Sequence, residues 1–322
     1  MLGWGLKATS ILGLVALAGC ATAPAPQPAV TPTVRPQERV VPVIPPVVSP
    51  PVSDERSAEL AAYYARVENS LTVRGLLRTD GGGPDTPFTD TQLARNFVRI
   101  ALFDEYVADG DRLRARTTAS KLRRWEQPVR MSVAFGDSVP VDQRARDEAS
   151  VRKYASRLSR LTGLPITVTN DNANYHVLFL DENDRRGAES RLRALVPGIS
   201  PSSMRAILTL PRNQLCIVVA FSEPGQSEYI KAISVIRAEH PPLLRQSCIH
   251  EELAQGLGLA NDSNAARPSI FNDDEEFGYL TNHDELLLKM LYDRRFTSGM
   301  TPEQAAPIAK IIATELTTAG AS

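Results

Sequence analysis

The residues from Cys248 to Asp262 hold the chain's densest set of groups able to do chemistry: Glu251, Glu252, Gln255, Asn261 and Asp262, with His250 beside them. A helix advancing about 100° per residue puts Cys248, Glu251, Glu252 and Gln255 on one face and the apolar Ile249, Leu253 and Leu257 on another. The polar face carries acids and an amide but no lysine, whereas a face that only meets solvent mixes both signs. Oxygen donors of this kind suit calcium, magnesium or manganese. Glu251, Gln255, Asn261 and Asp262 are the candidate ligands of such a hard divalent ion, with Asn272, Asp273 and Asp274 nearby. Glu252 is the candidate general base if the domain is catalytic. Direct acid catalysis by Glu251 and Glu252 is disfavoured because adjacent helical side chains diverge. A purely local account also exists: Glu251 and Gln255 make helix contacts while Asn261 and Asp262 cap turns.

His250-Glu251 begins like the zinc motif H-E-x-x-H, but Ala254 stands where the second histidine must be. His250 is therefore read as a surface or packing residue. One residue on, Glu251-Glu252-x-x-Gln255-x-x-Gly258-x-x-Asn261 resembles the metzincin pattern H-E-x-x-H-x-x-G-x-x-H, with the base at Glu252 and the turn glycine at Gly258. All three histidines are replaced by oxygen or amide side chains. Zinc prefers nitrogen and thiolate donors, so tight zinc binding is not expected. Ser269-Ile270-Phe271 resembles the stretch that holds the Met-turn of matrixin-like proteases, with Phe271 in the methionine's place. Leu280 to Asp284 and then Leu291-Tyr292 resemble the closing helix.

The Glu-Glu-x-x-Gln-x-x-Gly pattern, the Asn261-Asp262 pair and the Ser269 to Asp273 run are similar to those of the bacterial domain-of-unknown-function family 2927, over about Phe88 to Leu316. That resemblance implies an envelope lipoprotein of unsettled activity. The protease-like register implies a degenerate, non-catalytic metzincin domain that binds a peptide or envelope partner. A metal-dependent hydrolase with oxygen ligands and a purely structural lipoprotein are the alternatives.

The elements that would position these residues follow from periodicity. Helical spacing runs from Ser53 to Leu71 and from Thr89 to Tyr106, separated by Gly81-Gly82-Gly83-Pro84. The basic run from Arg112 to Arg124 reads as the solvated face of that helical piece. Period-two alternation of Val129, Met131, Val133 and Phe135 starts the main domain with a strand, and a helix through Val151 and Leu158 ends at Gly163. Strand-like runs follow at 164–169, 175–180, 215–221 and 230–236, with a long loop from Asp181 to Met204. The last third is helical, with capping boxes at Thr281 to Asp284 and Thr301 to Gln304. The fold class is α/β (α+β): a zincin-like mixed sheet with helices at both ends of the chain.

Of 322 residues, 43% are hydrophobic and the net charge is −1, which disfavours nucleic acid as a partner. Lys7 and the short apolar stretch from Ala8 to Ala18 read as a secretory signal, too brief to span a bilayer. Leu17-Ala18-Gly19-Cys20 resembles a lipobox, implying acylated Cys20, and Ala21 after it favours the outer membrane. Ten of the 24 prolines fall between Pro24 and Pro51, a semi-rigid stalk. In an oxidising compartment Cys216 and Cys248 favour a disulfide over two free core thiols. The expected organisation is a signal peptide over 1–19, lipid-anchored linker over 20–52, helical extension over 53–124 and metzincin-like domain over 125–322.

Overall fold

The computed structural model describes residues 55–319, so the expected leader, Cys20 and the expected proline-rich linker lie outside the described residues. Helices α1 (Glu55–Val73) and α2 (Asp90–Ala101) come first. Thr89 and Gln92 open α2 with a reciprocal capping box, satisfying its first free N–H groups.

The helix expected to continue to Tyr106 instead stops at Ala101. The chain turns into a hairpin of β1 (Phe103–Asp109) and β2 (Arg112–Ala119). The basic run is thus a strand and not a helical face. Arg112, Arg114 and Arg116 alternate with Leu113, Ala115 and Thr117, and Gly110 supplies the positive φ of the tight turn at +62°. That Asp109-Gly110 hairpin signal was there to be read.

After the hairpin come β3 (Val129–Phe135), α3 (Val141–Thr162), β4 (Ile166–Val168) and β5 (Tyr175–Leu180). The expected long loop holds three short helices: α4 (Glu182–Arg186), α5 (Glu189–Leu195) and α6 (Pro201–Leu208). Each is too short to sustain a visible period, and side chains of Asp181 and Ser200 cap the first and last. Strands β6 (Cys216–Ser222) and β7 (Tyr229–Arg237), then α7 (Pro242–Gln255), α8 (Asn282–Leu291) and α9 (Pro302–Ala319), complete the described chain.

The mixed sheet has the order β4-β3-β5-β7-β6, parallel throughout except for β6, which runs antiparallel to β7 at the edge. Strand alternation splits the core in two. Tyr175, Val177 and Phe179 face the larger cluster with Tyr154, Leu253 and Leu287, while Leu178, Leu180 and Ile233 face Leu192 and Ile207 of the short helices. Leu93, Phe97 and Ile100 belong to the same larger cluster as Trp125 and Tyr175. No helix among the described residues is long and apolar enough to cross a membrane.

Cys216 and Cys248 form a disulfide that ties edge strand β6 to α7, closing a loop of 32 residues. Restricting the unfolded chain by such a loop contributes about 3–4 kcal/mol in the chain-entropy account. Cys216→Ser with Cys248→Ser is expected to lower the melting temperature by roughly ten degrees or more, read by differential scanning calorimetry. Equal melting temperatures would show that the helix holds its place without the bridge.

Candidate functional site

Helix α7 is fixed from several sides by its own backbone. Tyr175 Oη donates to Glu252 O at 2.8 Å, Tyr154 Oη to His250 O at 2.9 Å, and Trp125 Nε1 to Gly256 O at 2.9 Å. Arg245 Nε pairs with buried Asp147 at 2.8 Å. A Cβ at Gly256 would sit 2.1 Å from Tyr175 Oη, so only glycine lets the helix end approach this closely. Gly258, at φ +128°, then turns the chain, and a Cβ there would meet Arg123 O at 2.3 Å.

His250 packs, as its failed motif suggests. Its ring stacks on Tyr154 with centroids 4.1 Å apart, and Nδ1 accepts from Leu280 N at 3.0 Å. Asn261 also turns inward: its N–H donates to Ile100 O and Nδ2 to Arg99 O, tying the chain to the end of α2. The other named residues do come together. Glu251, Glu252, Gln255 and Asp262 line one cavity of about 350 Å³ between α7, β6 and the hairpin, joined by Glu105, Asp273 and Glu275.

The Glu251 and Glu252 carboxylates do not diverge as expected: an oxygen of each lies within 4.8 Å of the other and of Cys216 Sγ. That sulfur is held in the disulfide and offers no thiolate. Gln255 Nε2 donates to Asp262 Oδ1 at 3.2 Å. The three positions Glu251, Gln255 and Asn261 therefore present one carboxylate, one amide already bonded and one amide facing away, a donor set that does not suit zinc.

The sequence matches the family described as "Protein of unknown function (DUF2927)" over residues 90–311. This chain belongs to that family. Searches of curated proteins and of solved structures found no match. In this DUF2927 protein the matched span includes the hairpin, the sheet and α7, so every wall of the acidic cavity lies within the family region.

Six carboxylates line the cavity and no lysine, arginine or histidine does, among the described residues. Burial, then the neighbouring acids, raises the pKa values of Glu251, Glu252, Asp262 and Glu275. Glu251 and Glu252 stand well above the usual carboxylate range, Asp262 is pushed up to about 8 and Glu275 to about 7. Glu252 is 3% exposed, and its Oε2 has no hydrogen-bond partner.

Glu105 was not foreseen, because it lies far from the motif in sequence on a hairpin read as a helix; the Asp109-Gly110 turn was the signal that could have found it. Asp284 is a second buried acid with a role beyond its cap. It accepts from Ser269 Oγ at 2.6 Å, Ile270 N at 3.0 Å and Thr281 Oγ1 at 2.7 Å, holding the turn before buried Phe271.

A carboxyl whose folded pKa exceeds its unfolded value stabilises the fold at low pH, and that contribution is lost as pH rises from the unfolded pKa through the folded one. For Asp262 the window runs from 3.8 to about 8, with at most about 1.4 kcal/mol lost per pH unit. Buried His250, pushed down to about 3, acts oppositely, its contribution fading as pH falls below 6.5. That term is common to wild type and variant and cancels between them. Asp262→Asn should therefore shrink the fall in melting temperature between pH 5 and pH 8, measured by calorimetry. An unchanged fall would mean that Asp262 titrates like a solvent-exposed acid.

Proposed function

We propose that the protein is a lipid-anchored envelope protein whose domain, built on a protease-like scaffold without the zinc ligands, holds an extended peptide partner along the free edge of β6. The observation that carries this reading is the edge itself. Strand β6 pairs with β7 on one side, and its other side makes no backbone hydrogen bond among the described residues. An unpaired strand edge is a template for an added strand.

The edge borders a cleft rather than open solvent. The acidic cavity and a neighbouring one of about 500 Å³ share Tyr106, Pro211, Gln214 and Ile217, so a groove runs between β6 and the β1–β2 hairpin. The motif helix forms its floor at one end. A parallel sheet with an antiparallel edge strand beside the motif helix is the arrangement the metzincin register calls for, which supports the protease-like origin. The loss of all three imidazoles favours binding over catalysis.

The lipobox-like Leu17-Ala18-Gly19-Cys20 and the proline-rich sequence from Pro24 to Pro51 support an envelope location, probed by Cys20→Ser: the variant should move from the membrane to the soluble envelope fraction on fractionation. A variant still in the membrane fraction would remove the lipid anchor from the account. The groove is tested by Ala220→Trp, which fills it from β6. Peptide binding by fluorescence polarisation should weaken about tenfold or more, while overpacking beside the core lowers the melting temperature by no more than about ten degrees and leaves the domain folded. Undiminished binding would place the partner elsewhere.

The unpartnered Glu252 carboxylate favours a second reading, a hydrolase whose hard metal is held by oxygen ligands. Stoichiometric calcium, magnesium or manganese in the purified protein, lost in Glu251→Ala, would favour it. A third, purely structural role is favoured if Cys20→Ser abolishes function while Glu252→Ala changes nothing.

A further inference from the structure

We propose that the acidic cavity receives one positively charged side chain, a lysine ammonium or an arginine guanidinium, from the extended partner; this rests on the edge-binding reading above. Val218 and Ala220 of β6 line the same cavity as Glu251 and Glu252. Side chains of an added strand alternate between the two faces of the sheet, so one that enters at this position points toward the carboxylates.

The electrostatics favour a cation. Among the described residues no basic side chain lines the cavity with the six carboxylates, and Glu252, 3% exposed, keeps Oε2 without a donor. Buried acceptors are almost always satisfied, and a buried acid among acids is satisfied best by a charged donor. The neighbouring Tyr229 hydroxyl and Arg123 are engaged with each other, and Arg123 also with Asp104, so neither supplies that charge.

Size and spacing then separate an organic cation from a metal ion. A hard divalent ion needs roughly six to eight oxygens at about 2.3–2.6 Å. Among the described residues, the one group of three or more acid, histidine or cysteine side chains with ligand atoms within 4.8 Å of one another is Glu251, Glu252 and Cys216, whose Sγ is a disulfide sulfur. The cavity of about 350 Å³ is far wider than an ion and accommodates a long side chain with its hydration partly retained. The adjoining cavity carries Arg112 and Arg205 amid Ala115 and Ala206. A partner residue there is therefore apolar or acidic, giving the bound segment a direction as well as a charge.

The test uses full-length mature protein in detergent and two blocked octapeptides of alanine, valine and threonine, with lysine or norleucine at one central position. The lysine peptide should bind about tenfold or more tightly than the norleucine peptide, a preference that falls to near unity in Glu252→Gln. Asp273→Asn, at an exposed rim position, provides the same comparison if Glu252→Gln does not fold, with the preference expected to fall. n-Butylammonium alone should saturate chemical-shift changes in wild type and not in Glu252→Gln.

Equal affinity for the two peptides overturns the inference and leaves the edge reading standing. Binding of n-butylammonium when neither peptide binds overturns the edge reading and keeps the cavity's preference. One-to-one calcium binding that is lost in Glu252→Gln, and that abolishes the lysine preference, overturns the inference in favour of a metal site.

Discussion

Carboxylates buried together repel one another and lose hydration, so each must bind a proton, meet a cation or force its surroundings open. In this protein Glu105, Glu251, Glu252, Asp262 and Glu275 share one cavity with Asp273 at its exposed rim, and no base lines it among the described residues. A fold selected only for stability removes such a group or pairs it, as the same chain does at Asp147 with Arg245 and at Glu182 with Arg185 and Arg237. The contrast within one molecule marks the cavity as a place where stability is sacrificed, which the proposed cationic side chain would restore.

The surroundings are built to resist the relaxation that would relieve the repulsion. Helix α7 cannot slide outward, because Tyr175, Tyr154 and Trp125 hold its carbonyls and the disulfide holds Cys248 to the sheet. It cannot slide inward, because Gly256 already lies against the Tyr175 ring. Asn261 closes the far side by gripping the last turn of α2. Rigid backbone and unsatisfied side chains together are what a preorganised binding site requires.

Much of this frame was legible in the sequence. Long periodic stretches announced β3, α3, β5, β7 and α7, and Thr281 to Asp284 announced the start of α8 through its cap. Helical spacing also put Glu251, Glu252 and Gln255 on one face of α7, although the two carboxylates lie closer together than adjacent side chains were expected to, and Asp262 joins them from beyond the helix end. The hairpin escaped because its strands are rich in arginine and acid, so hydrophobic alternation is weak, and with it went Glu105 and the second wall of the groove. Asn261 shows a different limit. Its residue type suits a ligand or a tether equally, and only the carbonyls of Arg99 and Ile100, distant in sequence, decide between them.

The family match leaves activity open, so the account stands on charge and geometry. Its centre is the claim that these acids are held near one another without an internal counter-ion. Carbon-13 NMR of protein labelled at glutamate and aspartate side-chain carboxyls measures this directly. The account gives a group of carboxyls still titrating at or above neutrality, with Asp262 near pH 8. If instead every carboxyl titrates between about 3 and 5, as exposed acids do, the cavity is open to water and the central claim is wrong.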